Sequence, residues 1–190
     1  MANWVTSCIV LVAAYVGASL LETLSLLQYT GHLQGQRLCE YYGWAACLCL
    51  FLILIARRSA RLLAWRRGLG IASFGFALAH AWLSVVHILG GSLEGIEFLS
   101  DSERFSTWIG GVGLVLMVPL VITSSNFAVK WLGLRRWKCL HRLVFVVSLL
   151  ALVHSLWWGA APWPIKALLV IVTMVVVIER LRRQQSHVDS

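Results

Sequence analysis

The residues of this chain best suited to chemistry are four histidines in two apolar stretches. His141 and His154 are separated by thirteen positions, and the intervening Arg-Leu-Val-Phe-Val-Val-Ser-Leu-Leu-Ala-Leu-Val is almost wholly apolar. His80 and His87 lie in the equally apolar run Gly70–His87. An ionisable side chain at hydrocarbon depth costs on the order of 2–3 kcal/mol or more, so such a residue is first a functional candidate. A lone helical histidine is more often a hydrogen-bonded structural residue. Four on two segments favour ligation instead, and imidazole is the usual axial ligand of haem iron. The pattern predicts a haem b site inside a membrane, with His80, His87, His141 and His154 as its candidates. His32 and His187 fall in polar surroundings and are read as solvated.

The elements that must carry these residues are membrane spans. Of 190 residues, 59% are hydrophobic and 13% charged, whereas a soluble domain is about half apolar and a quarter charged. A crossing needs roughly 17–25 apolar residues. Six stretches qualify: Trp4–Leu27, Glu40–Ala56, Leu69–Gly90, Trp108–Ser124, Leu140–Trp158 and Pro164–Ile178. The first lacks a basic leader and is too long for a signal peptide, so it is read as a retained helix. The fold class expected is all-α, a single transmembrane domain over residues 1–190.

Orientation follows from the basic residues. Arg57, Arg58, Arg61, Arg66 and Arg67 follow the second span, Lys130, Arg135, Arg136 and Lys138 the fourth, and Arg180, Arg182 and Arg183 the sixth. Glu94, Glu97, Asp101 and Glu103 follow the third. The positive-inside rule then places both termini in the cytoplasm. The net charge of +8 is accounted for by basic flanks facing anionic lipid and implies no nucleic acid. The five cysteines form no C-x-x-C, and Cys47 and Cys49 point to nearly opposite helix faces. They are read as small packing residues.

Depth constrains which histidines can meet. Counted from the cytoplasmic ends at about 1.5 Å per residue, His80 lies ~16 Å deep, His87 ~27 Å, His141 ~3 Å and His154 ~22 Å. His154 is therefore close in level to His80 or His87. One haem between the third and fifth spans is expected, and a second stacked across the bilayer if His141 also pairs. Zinc is the poorer fit, because no acidic residue accompanies His80 or His154 within its segment. Gly68, Gly70, Ala72 and Gly75 would make room for a porphyrin, and Arg66, Arg67, Arg136 and Arg142 would meet its propionates. Ordinary small-residue helix packing explains the same glycines. Glu22, flanked by Ser19 and Ser25, is the one acid well inside a span, suited to packing or proton handling.

Three segments carry a family resemblance. Arg66-Arg67-Gly68-Leu69-Gly70 and the Phe-rich run to His80 resemble the third helix of ferric reductase-like transmembrane domains. Met117-Val-Pro119-Leu-Val-Ile-Thr123-Ser124-Ser-Asn126 is similar to the close of that family's fourth helix. Trp137-Lys-Cys-Leu140-His141-Arg142-Leu143-Val144, with His154 thirteen later, resembles its fifth. The resemblance runs from about Gly43 to Trp158 and is nearest the haem-binding subunits of periplasmic methionine sulfoxide reductase systems (MsrQ/YedZ-like).

That resemblance implies a multi-pass bacterial inner-membrane cytochrome b without a substrate site of its own. Its metal ligands would be His80, His154 and His141, and its wider cofactor set would include His87, Arg67 and Arg142. Its cofactors would be one or two haem b, with FMN and quinone as further redox groups. Electrons would pass from a quinone pool or cytoplasmic flavin reductase to a soluble periplasmic reductase subunit. Phe145, Ser84 and Ser155 stand where the family favours tyrosine, and His87 is additional. The acceptor therefore stays open. A ferric reductase-type cytochrome is one alternative, and a haem-free assembly or transport protein is the other.

Overall fold

The computed structural model describes residues 4–55 and 60–157, side chains of 60–64 excepted, together with Ala167, Val170, Ile171 and Met174. The described residues are helical, with no strand among them. In order they form α1 (Trp4–Gln28), α2 (His32–Ile55), α3 (Ala60–His87), a 3₁₀ turn (Leu93–Phe98), α4 (Asp101–Ile122), α5 (Asn126–Leu132), α6 (Leu134–Leu140) and α7 (Leu143–Trp157). Among the described residues, five helical stretches are long and apolar enough to cross a membrane, the fifth being α6 and α7 together over Leu134–Trp157. Large apolar side chains such as Trp82 (69% exposed), Ile122 (70%) and Leu149 (54%) face outward, as suits a bundle whose solvent is hydrocarbon. This is a multi-pass membrane helix bundle.

Several boundaries differ from those read in the sequence. The second span begins at His32 rather than Glu40, so His32 is the first residue of a helix and not part of a loop. Arg37 and Glu40, paired at 2.8 Å, let this polar first section continue as helix. The fourth begins at Asp101 rather than Trp108, because Ser100 and Glu103 cap it reciprocally: the Ser100 hydroxyl accepts from the Glu103 N–H, and Glu103 accepts from the Ser100 N–H at 3.0 Å. The fifth is interrupted. His141 caps α6, and α7 starts only at Leu143, so His141 and His154 are not on one continuous helix. The sixth span, Pro164–Ile178, lies outside the described residues except for Ala167, Val170, Ile171 and Met174, which are helical.

Packing divides the bundle into two close pairs, α2 with α3 and α4 with α7, and α1 lies against α3. Between helices in lipid there is no hydrophobic drive, so close approach depends on small residues. Gly68 is such a point: a Cβ there would come within 2.8 Å of the Val10 Cβ and 3.1 Å of the Ser7 backbone. The two pairs are joined by Leu50, Met117 and Val147, and by Phe51, Leu54 and Leu152, the latter cluster also touched by Val170.

Candidate functional site

His80, on α3, and His154, on α7, meet where the two helix pairs join. Their ring centroids are 5.9 Å apart and their planes nearly perpendicular, at 82°. Each ring is carried by one helix of its pair and oriented by the other. His80 Nδ1 lies 2.8 Å from the Cys39 carbonyl oxygen on α2, and His154 Nδ1 lies 2.8 Å from the Ser106 carbonyl oxygen on α4. A carbonyl oxygen can only accept, so Nδ1 carries the proton in both rings. Both imidazoles are thereby fixed in the tautomer whose Nε2 has a free lone pair. Metal-ligating histidines are oriented in this way, by a carbonyl or carboxylate on the other ring nitrogen.

The two halves are built alike. The Cys39 thiol reaches the His80 carbonyl oxygen at 3.5 Å, and the Ser106 hydroxyl donates to the His154 carbonyl oxygen at 3.1 Å. Four residues further along each orienting helix is a glycine. A Cβ at Gly43 would stand 3.0 Å from His80 Nδ1, and one at Gly110 would stand 2.9 Å from His154 Nδ1. In an α-helix the N–H of residue i+4 bonds the carbonyl of residue i, so these glycines sit directly over the carbonyls that the imidazoles use. Ser84 adds a contact of 3.0 Å to the Cys39 sulfur.

The remaining candidates are elsewhere. His141 Nε2 is 3.1 Å from the Thr123 hydroxyl, and its ring lies 4.1 Å from that of Trp137, whose indole N–H donates to the Thr123 carbonyl at 2.8 Å. Arg66 is within electrostatic range of it, and no second imidazole faces it among the described residues. His87 meets His32, not His80, His154 or His141. Arg67 packs its guanidinium 4.0 Å over the Trp4 ring. Arg142, with Arg135, Lys138 and Cys139, lines a cavity of about 360 Å³. At 1.5 Å per residue, Arg67 and Arg142 are each about 20 Å along the bundle from the level of His80 and His154. That separates them from the histidine pair.

The glycines singled out by sequence, Gly68, Gly70 and Gly75, do not border the imidazoles. Gly68 serves the α1–α3 contact, and Gly75 opens on a shallow apolar groove lined by α1 and α3 residues together with Tyr42 of α2. Sequence reading missed Cys39, Gly43, Ser106 and Gly110. The available signal was Cys-x-x-x-Gly and Ser-x-x-x-Gly on the two helices preceding or following a histidine helix. Glu22 is accounted for by the Tyr42 hydroxyl, which donates to it at 2.5 Å.

Residues 6–152 match the family described as ferric reductase like transmembrane component. Three curated relatives carry the name protein-methionine-sulfoxide reductase haem-binding subunit MsrQ. The one from Herminiimonas arsenicoxydans is 33% identical over 71% of this chain and 63% of its own length. That from Agrobacterium fabrum is 34% identical over 56% and 50%, and that from Brucella ovis 40% over 54% and 46%. In each case the chain spans less than two thirds of the relative. No solved structure gives a significant match.

Proposed function

Because this chain belongs to the ferric reductase-like transmembrane family, we propose that it is a haem b-binding electron-transfer subunit of a membrane oxidoreductase. The observation that carries this reading is the His80–His154 pair, with both rings held by Nδ1 and both Nε2 lone pairs free. The donor set suits the group: two neutral imidazoles, no carboxylate, and ring centroids 5.9 Å apart. Two imidazoles on one metal, with bonds of about 2 Å, put their centroids roughly 6 Å apart. When bound, haem supplies a one-electron centre whose potential depends on its axial ligands and their hydrogen bonds.

The protein's own part is orientation and exclusion. The Cys39 and Ser106 carbonyls fix the tautomer and raise ligand basicity, while Leu50, Met117 and Val147 exclude water beneath the pair. His141, Arg67 and Arg142 belong to the opposite, basic end. There they are suited to the donor side, where a quinone or an FMN-carrying reductase would deliver electrons. The reading places both termini and the basic loops in the cytoplasm of a bacterial inner membrane. It retains Pro164–Ile178 as a sixth span and sends electrons to a soluble reductase subunit outside. The MsrQ names of the relatives favour a methionine sulfoxide reductase as that partner.

The test is purification in mild detergent, followed by a reduced-minus-oxidised visible spectrum of the parent and of His80→Ala and His154→Ala. Low-spin haem b should be present in the parent and lost in both variants. Normal spectra in both would sink the assignment.

A further inference from the structure

Beyond the His80–His154 pair, we infer that His32 and His87 form a separate site for a divalent transition-metal ion at the acidic end of the bundle. His87 is the last residue of α3 and His32 the first of α2, and their ring centroids are 5.7 Å apart with planes at 56°. With metal–nitrogen bonds of about 2 Å, two imidazoles on one ion have centroids roughly 5–6 Å apart, depending on the angle at the metal. The pair needs no large rearrangement to chelate.

This seat is built differently from that of His80. A Cβ at Gly35 would overlap Nδ1, Cδ2 and Cε1 of His87 almost equally, so the ring covers the α2 backbone with its face. At Gly43 the His80 ring approaches by its Nδ1 edge instead, with Cγ the more distant atom. Edge-on approach gives His80 a carbonyl partner. Face-on approach gives His87 none, and neither nitrogen of His87 or of His32 is hydrogen-bonded to any described residue. Two imidazoles are thus held together with all four nitrogens available. His32 is exposed and His87 half-buried, so an ion can enter from water. Glu40, on the same helix, is already paired with Arg37 and does not complete the ligand set, so water supplies the remaining positions. The carbonyls at the C-terminus of α3 favour a cation there, and the N-terminus of α2 partly offsets this. Imidazole suits copper, zinc, nickel and iron, and Cu²⁺ binds nitrogen sites most tightly of the divalent series.

The experiment uses Cu²⁺ with the oxidised holoprotein in detergent, in a His187→Gln background so that the C-terminal imidazole does not compete. One equivalent of Cu²⁺ should bind with an electron paramagnetic resonance signature of two coupled nitrogens. His32→Gln, His87→Gln and Gly35→Ala should each reduce it to one nitrogen. Because an outer-shell partner alone is worth about 10–100-fold in metal affinity, losing a ligand should weaken binding about tenfold or more. The haem absorption band and gel-filtration profile report the fold independently. His32 is an exposed first-turn residue, so its variant decides the matter even where His87→Gln disturbs α3. Equal copper affinity in the parent and in His32→Gln, or no one-equivalent site in the parent, overturns the proposal.

Discussion

Adding one methyl group at Gly110 should separate haem affinity from helix stability. The new Cβ would lie 2.9 Å from His154 Nδ1 and 3.0 Å from Cε1, where ordinary contact begins at 3.4 Å. The ring must retreat by roughly half an ångström, which stretches the 2.8 Å bond to the Ser106 carbonyl to about 3.3 Å, beyond the usual N–H···O range. Loss of such an orienting bond costs about 10–100-fold in ligand affinity, or about 1.4–2.8 kcal/mol. Against this, Gly→Ala within a helix gains about 1 kcal/mol in propensity, and overpacking costs about 1–3 kcal/mol. The haem-free protein should therefore lose no more than about 2 kcal/mol of stability while haem affinity falls at least tenfold. Gly111→Ala is the control, because nothing lies within 4 Å of a Cβ there. Haem titration into the apoprotein, followed in the Soret band, measures the first quantity, and thermal unfolding in the same detergent measures the second. Parent-like affinity in Gly110→Ala, or an equal loss in Gly111→Ala, would refute the reasoning.

His141→Ala and Thr123→Val should each destabilise the bundle by about 1 kcal/mol or more, and the double variant by less than the sum, since one bond is common to both. The low-spin haem spectrum should survive both; its loss in His141→Ala would make that residue a ligand. Tyr42→Phe strips Glu22 of its donor and should lower stability by about 1–3 kcal/mol, whereas Tyr42→Phe combined with Glu22→Leu should recover most of it in thermal melts. Reduction of haem by a cytoplasmic flavin reductase should slow with rising salt, because exposed charges are screened over about 8–10 Å. Quinol-driven reduction should not, and stopped-flow traces with an Arg135/Arg136→Gln variant distinguish the two.

Apolar length made the spans legible, and charge contrast made the two faces of the bundle distinct. Depth counting brought His154 level with either α3 histidine. It did not choose His80, because that choice depends on which neighbouring helix offers a bare carbonyl. Nothing about Cys39 or Ser106 in isolation marks it as an imidazole partner; both look like small packing residues. The helix break at His141 was equally hidden, since Leu140 to Trp158 reads as one apolar run and the interruption arises from contacts with Thr123 and Trp137. The arginines were read as meeting the propionates of a haem, whereas helix rise sets Arg67 and Arg142 about 20 Å along the bundle from the His80–His154 pair.

The pairing of each imidazole with a neighbouring helix also imposes an order on biosynthesis. The half built from α2 and α3 is complete once the ribosome has passed His87, and the two helices follow one another directly. The half built from α4 and α7 requires the chain as far as Trp157, because α5 and α6 intervene in sequence. Until then, the Cys39 carbonyl is available to His80 but the facing imidazole of His154 is not. A two-sided pair of imidazoles therefore does not exist until α7 itself has been synthesised.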